Sequence, residues 1–153
     1  MAWSKIATLV IVGSVLGGML AFLSFFQESS SKNQDVFLNN KEINLLIAKT
    51  PAEHYQGLSN KVSLCRQCGM LFVFEVAEPR TFVMRRMSFP LDIVWIYKQT
   101  VVGISKNLPP ESSEPYTLYQ SPGEVDWVLE LNAGAADFYN LEVGKKISIS
   151  TSQ

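Results

Sequence analysis

The sequence predicts an α+β fold that is mostly antiparallel β: a compact barrel-like or sandwich-like domain with two short helices, preceded by one N-terminal transmembrane helix. Three observations lead to this prediction. A charge-free apolar run covers Ile6 to Phe26. Beyond Val36, seven or eight short apolar or alternating runs are separated by turn-forming residues. Two intervening segments carry helix-start signals, after Thr50 and after Asn132.

The run from Ile6 to Phe26 is long enough to cross a membrane, because a helix rises about 1.5 Å per residue and the hydrocarbon core is roughly 30 Å thick. The alternative is a cleaved secretory signal, whose apolar region usually spans only about 7–15 residues and ends in small residues. Here two phenylalanines precede Gln27 and Glu28, which makes a poor cleavage site. We therefore predict an uncleaved signal-anchor over residues 1–26.

The orientation of this anchor rests on layout more than on charge. Lys5 before the run and Lys32 after it balance each other under the rule that counts lysines and arginines. A short tail before a large domain favours a single-pass cell-membrane protein with its C-terminal domain outside the cytoplasm. Gly13 and Gly17 have the spacing of a helix-pairing motif and predict a homodimer contact, although glycine is common in membrane helices in general.

The first part of the domain combines a strand and a helix. The polar, serine-rich segment 27–35 is typical of a flexible tether, so the domain is predicted to cover residues 36–153. Alternation over Glu42–Ile47 predicts a half-buried strand. A short helix follows, marked by an N-cap, a first-turn proline, a capping-box glutamate and a terminating glycine: Thr50, Pro51, Glu53 and Gly57.

Strands dominate the remainder. Three prolines make 107–115 a loop, and Lys98–Thr100 is a turn of hairpin length. Asn132 is predicted to cap a second short helix over 133–139, which Asn140 ends. The predicted strands are 71–75, 81–84, 91–97, 101–104, 116–119, 126–131 and 147–149.

The composition argues against several classes of function. Lys+Arg 13 against Asp+Glu 14 gives a net charge of −1, without the basic excess of a general nucleic-acid binder, so no nucleic-acid partner is predicted. Two cysteines form neither a multi-disulfide framework nor a four-cysteine zinc site within one chain. Neither a metal nor a cofactor is predicted.

Five short motifs occur in one order along the domain: Gly57-Leu58, Gly69–Phe74, Phe82–Arg85, Phe89–Ile93 and Val128–Leu131, the last followed by Gly134. This order resembles the family catalogued as domain of unknown function 192, over Ile43 to Ile149. The resemblance implies a small β-rich domain, commonly behind an N-terminal signal or anchor, and implies no established activity. The sequence departs from the family pattern at Ser59, Val83 and Arg86, where the family has Met, Trp and Asn.

Arg85, Arg86 and Asp92 flank a proline-containing turn. The arginines end one predicted strand and the aspartate starts the next, so opposite charges are expected at one edge. Because a guanidinium binds a carboxylate bidentately, these residues are candidates for an anionic-ligand site in which Asp92 orients one arginine. The alternative is an internal pair that only fixes the turn. Asp92 lies within an apolar strand and needs a partner in either case.

Glu130 is a second carboxylate enclosed by apolar neighbours. It is a ligand-binding candidate, and the alternative is a structural role in accepting N–H groups at the nearby helix start. If Glu130 and Asp92 lay close together, one of them would have a raised pKa and act as a general acid. That arrangement would support a hydrolytic enzyme.

Cys65 and Cys68 have the spacing of thiol–disulfide oxidoreductases, and Arg66 would favour a thiolate. The usual helix start after such a motif is missing, so four interpretations stay open: a structural disulfide, a redox pair, a metal site completed by other ligands, or free thiols. His54, the single histidine, is predicted to be a surface or packing residue.

Together these features predict a membrane-anchored extracytoplasmic domain that binds a ligand without catalysis. The expected ligands are an anionic small molecule, an envelope glycan or a partner protein, and the lipid bilayer is the expected partner of Ile6–Phe26. The alternative is an enzyme, acting either by thiol–disulfide redox through Cys65 and Cys68 or by carboxylate-based hydrolysis.

Overall fold

A computed structural model describes residues 34–151 of the chain. This part is mostly β with two short helices, which confirms that level of the predicted fold class. The first four strands along the chain are β1 Gln34–Leu38, β2 Lys41–Ala48, β3 Cys68–Phe82 and β4 Leu91–Tyr97. Three more follow: β5 Thr100–Leu108, β6 Tyr119–Asn132 and β7 Ile149–Thr151. The helices are α1 Pro51–Gln56 and α2 Ala135–Phe138.

The strands form one curled mixed sheet in the order β5-β4-β6-β3-β2-β1-β7. Only β2 and β3 pair in parallel among the described strands, and α1 lies in the crossover between them. The segment before β7 also bonds to the far edge, because the Val101 N–H donates to the Lys145 carbonyl at 2.9 Å and the Ile147 N–H to the Gln99 carbonyl at 2.8 Å. The C-terminal segment therefore draws the two edges of the sheet towards a barrel.

Two apolar clusters cover the two faces of the sheet. The concave face packs around Leu45, Leu71, Leu129 and Tyr139 and fills the interior of the curl. On the outer face, buried side chains of β3, β4 and β6 pack with residues of the segments that cover them: Leu58, Met70, Phe72, Met84, Ile93, Trp95 and Val128. The pocket described below lies in this outer layer.

Neighbouring residues fix the ends of α1 and the turn between β4 and β5, as predicted. The Thr50 side chain accepts the Glu53 N–H, the Glu53 carboxylate accepts the Thr50 N–H at 2.8 Å, and Gly57 ends the helix at a φ of +48°. In the β4–β5 turn, Lys98 and Gln99 have φ values of +47° and +62°. Two left-handed residues match the twist of a tight hairpin.

Several predicted boundaries are wrong. The predicted strand 101–104 extends to Leu108, into the predicted loop 107–115, and the predicted strand 147–149 lies at Ile149–Thr151. The separate strands 71–75 and 81–84 are one strand, β3, whose register against β6 shifts between Val73 and Glu78 and again before Thr81. The predicted strand 126–131 belongs to a longer strand, β6, which begins at Tyr119; residues 116–118 of the predicted strand 116–119 lie outside it. In both strands, irregular pairing accommodates polar residues for which the sequence alone predicts a loop.

The second helix is also shorter than predicted. Asn132 belongs to β6 and Gly134 occupies the N-cap of α2, without a side-chain cap. The Asn132 side-chain amide donates instead to the Cys65 carbonyl at 2.8 Å. This long-range bond explains why the asparagine does not cap the helix beside it.

The predicted anchor over Ile6–Phe26, with Gly13 and Gly17, lies outside the described residues. β1 begins at Gln34, inside the predicted tether. Within residues 34–151, no helix combines the length and apolar character that a membrane crossing requires.

Gly69→Ala is expected to lower the free energy of unfolding by roughly 1–3 kcal/mol, the usual range for overpacking. A Cβ at this position would lie 2.8 Å from a Leu131 methyl and 3.0 Å from both a Leu45 methyl and the Glu130 carbonyl oxygen. Urea unfolding of the full chain measures the change. Gly123→Ala on β6 is the control, because its Cβ would meet no atom of the described residues within 4 Å, apart from its immediate chain neighbours. Equal stability of the two variants would contradict this packing.

Candidate functional site

A pocket of about 540 Å³ lies on the outer face of the sheet. It is bounded by α1 and the residues just after it, by both ends of β3 and the segment that follows, and by Glu130 of β6. The capped start of α1 and its glycine end fix the helix beside β3. Gly57 itself lines the pocket, and a Cβ there would lie 3.4 Å from the Phe72 ring.

Aromatic side chains form much of the pocket wall. Phe72 and Phe82 meet edge to face with ring centroids 5.0 Å apart, and the His54 ring lies 4.5 Å from that of Phe74. His54 Nε2 donates to the Ala48 carbonyl at 3.1 Å, which holds the imidazole in place. This aromatic part of the wall is therefore already packed before any ligand enters.

Two arginines line the same pocket, and an aromatic ring covers one face of each guanidinium. Arg80 lies 3.9 Å from the ring centroid of Phe74, and Arg85 lies 4.0 Å from that of Tyr55. Arg80 pairs with Glu78 at 2.5 Å, whereas Arg85 donates to the Tyr55 carbonyl at 2.7 Å. Within residues 34–151, no carboxylate lies within ion-pair distance of Arg85.

Glu130 is the buried ionisable group of the pocket, with 6% of its surface exposed. It pairs across the sheet with Met70 and Ile93, and its Oε2 is buried without a hydrogen-bond partner among the described residues. Burial raises the pKa of Glu130 to about 8, because the surroundings disfavour the charged form. At neutral pH this side chain is therefore mostly an uncharged acid, able both to donate and to accept.

The family model described as domain of unknown function 192, an uncharacterised ACR, matches residues 34–149. The chain belongs to this family. No curated protein matches it. Two solved crystal structures resemble it at 27% identity and a TM-score of 0.70, each over 80% of this chain. One is a protein from Sinorhizobium meliloti 1021 proposed to be a transcription regulator, matched over 97% of its length. The other is a protein of unknown function from Novosphingobium aromaticivorans DSM 12444, matched over 89%.

The structure brings together only part of the site predicted for this member of family 192. Arg85 and Glu130 line one pocket, whereas Arg86 is exposed, has a φ of +53° and does not line it. Asp92 is fully buried and accepts the Asn107 N–H at 2.9 Å and the Ala136 N–H at 3.0 Å. These two backbone amides supply the partners that the buried carboxylate requires.

Asp92 and Glu130 point to opposite faces of the sheet. Asp92 is registered opposite Leu131, whose side chain lies in the interior of the curl, whereas Glu130 is opposite Ile93 of the outer cluster. Directly opposed residues in antiparallel strands share a face. The structure therefore does not form the pair of carboxylates on which the hydrolytic alternative depends.

Cys65 and Cys68 form a disulfide in the turn before β3, with Cα atoms 5.1 Å apart. Cys65 is exposed and neither cysteine lines the pocket. Reactive cysteine pairs usually lie at the start of a helix, which stabilises the thiolate. In this domain the disulfide lies at the start of a strand instead.

Sequence reasoning missed Arg80 and the aromatic wall. The sequence predicts strand-core positions for Phe72, Phe74 and Phe82. It predicts a loop position for Arg80, because Glu75–Arg80 interrupts the apolar pattern. His54 packs as predicted, but it does so within the pocket wall. The one usable clue was the presence of Arg80 two residues before Phe82, which would share a face if the strand were continuous.

Proposed function

We propose that this domain binds a small anionic molecule in the pocket between α1 and β3, without catalysing its conversion. The observation that carries the proposal is the charge balance of the lining. Two arginines line the pocket, and the one carboxyl group among its described lining residues is held mostly neutral by burial. Such a site attracts an anion, and Arg85, which has no carboxylate partner in the described part of the chain, is its principal contact.

The proposal includes the absence of catalysis. It is supported by the hydrogen bonds that Ser59 and His54, the reactive side chains nearest the pocket, make to backbone carbonyls. The Ser59 hydroxyl donates to the Arg85 carbonyl at 3.0 Å, and His54 Nε2 donates to the Ala48 carbonyl. Each group therefore has a structural partner instead of the nucleophile–base contact on which covalent catalysis depends.

Arg85→Ala is expected to weaken anion binding by roughly 10–100-fold, the value of a hydrogen bond to a charged group. Calorimetry on the detergent-solubilised full chain would use benzoate, glutarate and glucuronate, each paired with its neutral amide. We expect at least one acid to bind, and to bind more tightly than its amide.

Arg86→Ala is the matched control, because Arg86 is the next residue in the chain and does not line the pocket. Its affinities are expected to stay within about twofold of the parent chain, since exposed charges contribute little. Circular dichroism would show that both variants are folded. If none of the three acids bound, or if Arg86→Ala weakened binding as much as Arg85→Ala, the proposal would fail.

We further propose that the domain lies at the outer face of the cell membrane, held by the apolar segment Ile6–Phe26. A disulfide between Cys65 and Cys68 agrees with an oxidising compartment.

A membrane-impermeant thiol reagent tests this location in intact cells. We expect labelling of Cys65 and Cys68 only after treatment with an impermeant reductant. Labelling that appears only after lysis, with denatured samples showing that both thiols can react, would place the domain inside the cytoplasm.

A further inference from the structure

We infer that the molecule bound in this pocket is an aromatic hydroxy acid, with its carboxylate at Arg85, its ring among the phenylalanines and its hydroxyl at Glu130. This inference rests on the proposed anion site and specifies the occupant. Three properties of the pocket support it: a gradient of burial, a wall of aromatic side chains, and a buried polar atom without a partner.

The gradient of burial gives the ligand a direction. Tyr55 is 73% exposed, and Arg85, stacked on its ring, is half-buried. Phe72 and Glu130 are only 1% and 6% exposed. A charged group of the ligand is therefore placed best at the arginine end, where water still reaches it, and an uncharged group at the Glu130 end.

The wall favours a flat ring over a polyhydroxylated sugar. Phe72, Phe74 and Phe82 line the pocket, and aromatic rings pack well against other rings edge to face or offset. Several uncharged polar side chains of the lining are already engaged. The Gln56 amide donates to the Ser59 carbonyl at 3.0 Å, the Ser59 hydroxyl donates to the Arg85 carbonyl, and His54 donates to the Ala48 carbonyl. A sugar ring would leave several hydroxyl groups without partners here.

Glu130 accounts for the hydroxyl. A buried oxygen without a partner is costly, and no atom of residues 34–151 forms a hydrogen bond with the Oε2 of Glu130. A ligand hydroxyl both donates and accepts, so it can pair with the carboxyl in either protonation state. The pocket volume of about 540 Å³ exceeds that of a single ring and admits a phenolic acid with a short side chain.

The probes for this inference are 4-hydroxycinnamate, cinnamate, which lacks the hydroxyl, and 4-hydroxycinnamamide, which lacks the charge. Calorimetry would use the full chain in detergent, with titrations into empty micelles subtracted. We expect 4-hydroxycinnamate to bind about tenfold more tightly than either analogue, because each analogue leaves one end of the pocket without its partner.

Two variants at Glu130 separate the hydroxyl contact from the charge contact. Glu130→Leu is expected to bind the two acids equally, because leucine offers no hydrogen bond. Glu130→Gln is expected to keep the preference for the hydroxyl, because its amide both donates and accepts. In both variants 4-hydroxycinnamate is expected to remain tighter than 4-hydroxycinnamamide, since Arg85 is intact and the two probes differ only in charge.

The possible outcomes distinguish the two proposals. Equal binding of cinnamate and 4-hydroxycinnamate to the parent chain, with Arg85 still required, would overturn the hydroxy-acid inference and leave the anion site standing. Tight binding of glucuronate in place of the aromatic acids would also overturn it. If 4-hydroxycinnamate bound no better than 4-hydroxycinnamamide, the anion site itself would be wrong.

Discussion

Replacing Asp92 by alanine is expected to lower the free energy of unfolding by roughly 2–4 kcal/mol, a large part of the stability of a small domain. The carboxylate is fully buried and accepts the amides of Asn107 in β5 and Ala136 in α2. Its removal leaves the buried Ala136 amide without an acceptor and opens a small cavity beside it. Chemical unfolding of the full chain at one pH measures the loss.

Asp126→Ala is the matched control for this prediction. Asp126 also accepts a backbone N–H, that of Lys98 at 3.1 Å, but it does so at the exposed hairpin turn. Water can replace the lost acceptor there, so we expect a loss below about 1 kcal/mol. If Asp92→Ala were no more destabilising than Asp126→Ala, and if it weakened anion binding instead, Asp92 would be a ligand-binding residue.

The elements that were predictable from sequence are those whose boundaries are set by neighbouring residues. The capping box of Thr50 and Glu53 fixes α1, and Pro90 with the turn at Lys98 fixes both ends of β4. Each signal acts within one or two turns of chain. Long-range pairing is not needed to interpret it.

The continuous strands β3 and β6 were not predictable in this way. Their middle segments are polar, and only their mutual pairing, with shifts in register, keeps them extended. Arg80 belongs to this irregular part of β3. Because the pairing was not predicted, neither was the meeting of Arg80 with Phe74 and Arg85 in one pocket.

Asp92 and Glu130 show a second limit. The sequence places both carboxylates in apolar strands, and both are buried in the structure. Their roles differ because the pairing of β4 with β6 places Asp92 opposite Leu131 and Glu130 opposite Ile93. A shift of one residue would exchange the two faces, and sequence does not fix that register.

The pH dependence of stability is the second large expected effect, and it depends on Glu130. Burial raises the pKa of Glu130 from 4.5 to about 8, so between these values the folded chain holds a proton that the unfolded chain releases. Stability from this group is therefore fully present below pH 4.5 and is lost as the pH rises through 8. The slope is at most about 1.4 kcal/mol per pH unit.

Glu130→Gln isolates this contribution, because glutamine does not titrate. We expect the free energy of unfolding of the parent chain, minus that of Glu130→Gln, to fall by roughly 2–4 kcal/mol between about pH 5 and pH 8 and then to level off. Glu124→Gln is the control, since Glu124 lies on the same strand with its side chain exposed. A difference that stayed flat or rose with pH would contradict the buried, uncharged acid.

The same proton links stability to ligand binding. The other charged or titratable groups lining the pocket are His54, Tyr55, Arg80 and Arg85. An ionised Glu130 would repel a bound anion and offset the attraction of the arginines, so anion affinity is expected to fall as the pH passes through the same range near 8. Because linkage is reciprocal, a bound anion should in turn raise the pKa of Glu130.

In Glu130→Gln the fall in anion affinity with rising pH should disappear. If it persisted unchanged, a group other than Glu130 would control the charge of the pocket.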